Sequence, residues 1–127
     1  IEVTFITNTY SEKVKESVLD SLSRNSNKAD LRIFLTHQPK EFLMNKAHDN
    51  KFDLYLCGHT HGGQITFLFP FYHLSPTLVE TTYMRGDFRF GNMLMIVTRG
   101  LGMSLAPLRF NSTPEITIIT LQNKLLY

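Results

Sequence analysis

Three short apolar runs constrain this chain more than any other feature: Val3-Thr4-Phe5-Ile6-Thr7, Leu31 to Leu35, and Asp53-Leu54-Tyr55-Leu56-Cys57. Each is rich in β-branched, aromatic or aliphatic residues and short enough to be a strand. Helical patterns lie between them. Thr9 stands three residues before Glu12, the arrangement of a capping box, and predicts a helix opening there. Along it Val14, Val18, Leu19 and Leu22 share one face and Lys13, Glu16 and Asp20 the other, until Asn25-Ser26-Asn27 ends it. A second helix is expected to take Pro39 into its first turn, where a missing N–H costs nothing. It carries Phe42, Leu43, Met44 and Ala47 and finishes near Asn50. Strand, helix, strand, helix, strand with short links implies parallel pairing through right-handed crossovers.

The second half differs. From Leu54 to Val79 there is no Asp, Glu, Lys or Arg, and Pro70 and Pro76 interrupt any helix. Thr82 to Phe90 and Met93 to Thr98 flank Gly91-Asn92, a hairpin signal. Ile116 to Leu121 reads as a last strand. The expected fold is therefore α/β with a mixed sheet, parallel first and antiparallel later, in a single domain spanning 1–127. With 127 residues, ten Phe and five Tyr, the chain can bury a core and is not a disordered polymer. A net charge of +2 without a basic stripe gives no reason to expect nucleic acid. One cysteine, Cys57, excludes an internal disulfide, suits a reducing compartment and reads as a core residue. The start Ile1-Glu2-Val3-Thr4-Phe5 has neither basic n-region nor cleavage site, and Ile1 is not an initiator Met. The expectation is a fragment or processed product, cytoplasmic or peripheral to a membrane.

Gly58-His59-Thr60-His61-Gly62-Gly63-Gln64 follows the third strand directly, and His37 follows the second. Ligand sites in open α/β sheets gather at the carboxyl ends of strands, so three imidazoles should reach one rim. The glycines allow the loop to turn between His59 and His61 and leave room for close approach. Neutral imidazoles suit Zn, Mn, Fe and similar ions. A lone loop histidine is more often simply hydrogen-bonded, and this reading suits His48, expected to be solvated, and His73, expected to be structural. The Gly-His-x-His-Gly-Gly run has no obvious packing purpose.

Leu35-Thr36-His37-Gln38-Pro39 followed by Asp53 to Gln64 resembles the C-terminal half of calcineurin-like metallophosphoesterases. The Gly-His-Thr-His-Gly-Gly-Gln form is similar to the subgroup with UDP-2,3-diacylglucosamine pyrophosphatase-like and membrane-associated phosphoesterases. Arg99-Gly100-Leu101-Gly102, Arg109-Phe110 and Pro114-Glu115-Ile116 match that subgroup's ending. The resemblance implies the C-terminal half of an αββα sandwich. It also implies two divalent metal ions (Mn, Zn, Fe or similar), with His37 and His59 on one and His61 on the other. Two cations about 3.5–4 Å apart acidify a shared water and neutralise phosphoryl charge. The implied substrates are phosphomonoesters, phosphodiesters or pyrophosphates, small or lipid-linked.

The N-terminal motifs of that family, Asp-x-His, Gly-Asp-x-x-Asp and Gly-Asn-His-Asp/Glu, do not occur here. The expected catalytic histidine and bridging aspartate are absent, so this chain reads as half of an enzyme, inactive alone. It should need the N-terminal half, or self-association, to cover its sheet. The alternative is a noncatalytic metal-binding or regulatory domain that keeps the fold. A metallo-β-lactamase-like hydrolase would want His-x-His-x-Asp-His, and Gly62, Gly63 and Gln64 argue against it. Phe67-Leu68-Phe69-Pro70-Phe71-Tyr72 reads as a loop packed on the core or as an apolar rim touching a membrane or an acyl chain. Arg99 and Arg109 could steer a phosphate, but pairing with carboxylates such as Glu115 is the favoured expectation.

Overall fold

A computed structural model describes residues 1–7, 13–24 and 28–122. The three expected strands form as β1 (Glu2–Ile6), β2 (Arg32–Thr36) and β3 (Leu54–Cys57), each displaced by a residue or less from the apolar runs. They pair in parallel, Val3 beside Ile33 and Phe34 beside Tyr55. The hairpin around Gly91-Asn92 supplies β6 (Gly86–Phe90) and β7 (Met93–Val97), with Gly91 at φ 57 as such a turn requires. The strand β7 inserts parallel to β3 and β6 lies antiparallel at the edge, giving the order β1-β2-β3-β7-β6. The mixed α/β sheet is as expected.

Helices α1 (Glu16–Arg24) and α2 (Glu41–Asp49) lie between the strands in sequence. The capping-box pair Thr9 and Glu12, and Asn25 to Asn27, lie outside the described residues. Val14 precedes α1 yet packs against the core, Leu19 is 2% exposed, and Val18 and Leu22 face outward. The apolar stripe is therefore narrower than its spacing suggested. Lys40 is the N-cap of α2, so Pro39 stands just before the helix rather than in its first turn.

One sheet face carries the core. Phe34 stacks on Tyr55 at 5.4 Å between ring centroids and meets the edge of Phe52 at 5.2 Å. Ile6, Met93, Met95, Val97, Leu43 and Ala47 complete it. Cys57 belongs to this cluster, and burial pushes its thiol up to about 12, so it is a packing residue rather than a nucleophile. The opposite face bears Val3 and Phe5, both exposed, and half-buried Ile33, Leu35, Leu56 and Ile96.

The expected strand at Ile116 to Leu121 does not form; these residues are irregular. Their entry point explains it. Glu115 is fixed to Gly100 and Arg99 just beyond β7, whose two edges are already occupied by β3 and β6. With both edges of β7 taken, the segment stays irregular, and Thr117 and Ile119 border one cavity with Leu35, Leu56 and Ile96 of the second face. Between β3 and β6 lie two short strands, β4 (Phe67–Leu68) and β5 (His73–Leu74), paired as an antiparallel ribbon.

Candidate metal centre

The parallel pairing of β2 and β3 delivers His37 and Gly58-His59 to one rim. Gly58 N–H donates to the His37 carbonyl at 3.2 Å, joining the two strand ends through their backbones. Tyr55 Oη donates to the Gln38 carbonyl at 3.2 Å, so the core ring also holds this turn. His37 Nε2 and His59 Nδ1 then stand 3.0 Å apart, with ring centroids 4.8 Å apart.

Beyond His59 the backbone enters the left-handed region at His59 (φ 69), His61 (φ 49) and Gly62 (φ 65). Each such non-glycine residue costs about 1–3 kcal/mol, so the surroundings must impose the shape. Thr60 Oγ1 donates to Met84 O at 2.5 Å, Ser75 Oγ to Gly63 O at 2.8 Å and Ser112 Oγ to His61 O at 2.6 Å. Arg109 adds its guanidinium: Nη1 donates to His61 O and Ser112 O, and Nη2 to Arg99 O, Gly100 O and Gly102 O. Arg109 thus gathers carbonyls instead of pairing with Glu115, because the two loops present oxygens to it from both sides. Arg99 does pair with Glu115, Nε donating to Oε2 at 2.7 Å.

The electrostatics favour the uncharged form of two of the rings, His37 and His61. Burial, then the charge of His59, lowers the His37 pKa from 6.5. Burial, then Arg109, then His59 and His37, lower that of His61. Neutral imidazole is the form that binds metal. Glu80 Oε2 lies 3.2 Å from His59 Nε2, and the Gln38 amide 3.3 Å from the same nitrogen. A proton on Nε2 serves the Glu80 carboxylate and leaves the Nδ1 lone pair facing His37 Nε2; the Gln38 NH2, itself a donor, is then not a hydrogen-bond partner of that nitrogen. A carboxylate behind a ligating histidine is the usual orienting device. Glu80 was not legible as a site residue, although it is the first charge after the uncharged run from Leu54 to Val79.

This geometry bears on whether an ion fits. Donors about 2.0–2.1 Å from one ion, at adjacent corners of its shell, are separated by about 3 Å. The His37–His59 spacing matches that. Yet among the described residues no group of three or more His, Cys, Asp or Glu side chains is gathered closely enough to hold a metal. The spacing of the pair suits two corners of a shell, and among the described residues no third such side chain joins it. His61 borders the same pocket of about 410 Å³ as His59 and Glu80. His48 is exposed beside Asp49, and His73 is exposed in β5, where it pairs with Leu68. The rim Phe67 to Tyr72 is exposed, Phe71 at 97%.

Comparison with known proteins adds the family. Over 105 residues, 81% of this chain, it is 42% identical to a metallophosphoesterase, YkuE, of Bacillus subtilis. It is 39% identical over 92 residues, 71% of the chain, to the phosphodiesterase YaeI of Escherichia coli. A Campylobacter jejuni metallophosphoesterase, Cj0846, is 40% identical over 101 residues, 79% of the chain. The chain is a homologue of metallophosphoesterases. It spans 35%, 32% and 25% of these three relatives, about a third of their length or less. No protein-family model and no solved structure matches it. The mixed sheet with two helices is consistent with a fragment of a metallophosphatase-type fold. No described helix is long and apolar enough to cross a membrane.

Proposed function

We propose that this chain is the metal-binding C-terminal portion of a metal-dependent phosphoesterase that hydrolyses phosphomonoesters, phosphodiesters or pyrophosphates. The observation that carries the reading is the 3.0 Å approach of His37 Nε2 to His59 Nδ1 at the ends of neighbouring parallel strands. Homologues named metallophosphoesterase and phosphodiesterase support the same reaction class. His37 and His59 would hold one divalent ion (Mn, Zn or Fe) and His61 would contribute to a second. Ions bound there would acidify water and offset phosphoryl charge. The chain's own part is to present imidazole nitrogens, with Glu80 fixing the His59 ring and Arg109 fixing the carbonyl edge of the His61 turn. The exposed rim Phe67 to Tyr72 suits a lipid-linked substrate and peripheral contact with a membrane. With two corners of one shell supplied, the isolated chain should not turn over substrate. The other reading, a noncatalytic metal-binding or regulatory domain, rests on that same incomplete shell.

Titration of the chain with Mn or Zn, alongside hydrolysis of an aryl phosphodiester, tests this. Weak binding is expected, reduced at least tenfold in His59→Ala, since loss of even an orienting partner costs about 10–100-fold. Turnover is expected to be absent. Sustained hydrolysis abolished by His59→Ala would make the chain a complete catalyst. Metal binding indifferent to both His37→Ala and His59→Ala would remove the phosphoesterase assignment.

A further inference from the structure

One side chain, Arg109, ties together two loops that meet only in the folded chain. Its Nη1 donates to His61 O at 3.2 Å and Ser112 O at 3.1 Å. Its Nη2 donates to Arg99 O and Gly100 O, each at 3.0 Å, and to Gly102 O. All of these acceptors are backbone carbonyls. The Arg109 Nε is buried and, among the described residues, without a partner. A guanidinium placed for its own satisfaction would turn its fork on a carboxylate. This one instead joins the His61 turn to the loop after β7, and it does not border the histidine pocket.

The join sets Gly102 against the His61 ring. A Cβ on Gly102 would stand 3.4 Å from Cε1 and 3.9 Å from Nδ1, with no other ring atom within 4 Å. The loop therefore backs the Nδ1–Cε1 edge. Burial, then the charges of Arg109, His59 and His37, lowers the His61 pKa, and only a hydrogen bond with the Gly102 backbone raises it. That sign belongs to a carbonyl accepting the ring proton. A ligating histidine commonly donates its second N–H to such a carbonyl, which fixes both tautomer and orientation. His61 lies at φ 49, so its own backbone preference does not hold the ring there. His59 has the Glu80 carboxylate behind it. His61 has Gly102, and Arg109 keeps Gly102 in place.

We infer that Arg109 is the positioning residue of His61: by holding the Gly102 backbone against the Nδ1 edge of the ring, it sets how the imidazole faces a metal ion. The inference deepens the proposed function and rests on it. Phosphate steering, the other use of an arginine here, would need N–H groups turned toward the pocket, and those of Nη1 and Nη2 are committed to carbonyls.

NMR of the isotope-labelled 127-residue chain, with the His37, His59 and His61 rings followed during titration with Zn, tests this. In the wild-type chain His61 should carry its proton on Nδ1, and Zn should shift all three rings. Arg109→Gln should leave His61 as a mixture of tautomers and raise its Zn midpoint at least tenfold, with His37 and His59 responding as before. Arg109→Lys should behave like Arg109→Gln, because an ammonium is a point charge that cannot span both loops. Gly102→Val keeps Arg109 and adds methyl groups beyond a Cβ already at 3.4 Å from the ring, at a position whose φ is not left-handed. It should weaken the Zn response of His61 by the same factor, and it decides the matter if the Arg109 variants lose helicity. If the folded variant keeps the wild-type tautomer and Zn midpoint at His61 while Zn shifts His37 and His59, the metal reading stands and the role of Arg109 falls. If Zn shifts none of the three rings in the wild-type chain, the proposed function falls and takes this inference with it.

Discussion

Glu115 and Arg99 illustrate how single side chains fasten this loop-rich half. Burial pushes the Glu115 pKa up, but hydrogen bonds from Arg99 N–H (2.9 Å to Oε1) and Nε, together with its charge, outweigh that and lower it from 4.5. A carboxylate with a depressed folded pKa contributes stability above its unfolded value and loses it as pH falls through the folded one. The melting temperature should therefore decline from about pH 4.5 downward. Glu115→Gln should cost about 1 kcal/mol at neutral pH, a value discounted for partial exposure, and flatten the acid limb. Thermal melts across that range check both. An unchanged acid limb in the variant would assign the pH dependence to other groups.

At the scale of elements, the loop from β3 to β6 depends on two buried glycines. A Cβ on Gly62 would stand 2.4 Å from Arg99 Cγ and 2.5 Å from Ser112 Oγ, at φ 65. A Cβ on Gly63 would stand 2.6 Å from Thr66 Oγ1, at φ 88. Both the strain and the clash oppose substitution, so Gly62→Ala should destabilise by about 2–4 kcal/mol, seen as a lower urea midpoint. Gly100→Ala is the contrast. It has positive φ but nothing within 4 Å, and should cost about 1 kcal/mol. Equal costs at the two positions would mean that the close approach of Arg99 and Ser112 does not hold the turn.

The whole molecule is covered unequally. Both helices serve the face of Phe34, Tyr55 and Met95, while the other face leaves Val3 and Phe5 in solvent. Parallel sheets are normally covered on both faces. At roughly 25 cal/mol per Å², a few hundred Å² of exposed apolar surface amounts to several kcal/mol, against a typical domain stability of about 5–15 kcal/mol. The purified 127-residue chain should therefore self-associate, and Phe5→Glu should shift it toward monomer without loss of helicity. Sedimentation velocity at several concentrations decides. A dilute monomer with a cooperative, high-temperature melt would show that the second face needs no cover.

Local pattern alone determined β1, β2, β3, the β6–β7 hairpin and the placing of His37 and His59 at strand ends, because side-chain periodicity and turn chemistry act within a few residues. It also carried the family resemblance, since the Gly-His-Thr-His-Gly-Gly-Gln run is contiguous. What needed the tertiary structure was every choice made between distant segments. Ile116 to Leu121 has a strand's composition, but a strand needs a free edge, and β3 and β6 had taken both sides of β7. Arg109 looked like a partner for a carboxylate and instead gathered carbonyls that converge only after two loops meet. Glu80 reaches His59 across 21 residues, and Gln64 reaches Ser104 across 40. No periodicity encodes those separations. They follow from chain closure and packing, which settle which polar atoms are left facing one another when the sheet is complete.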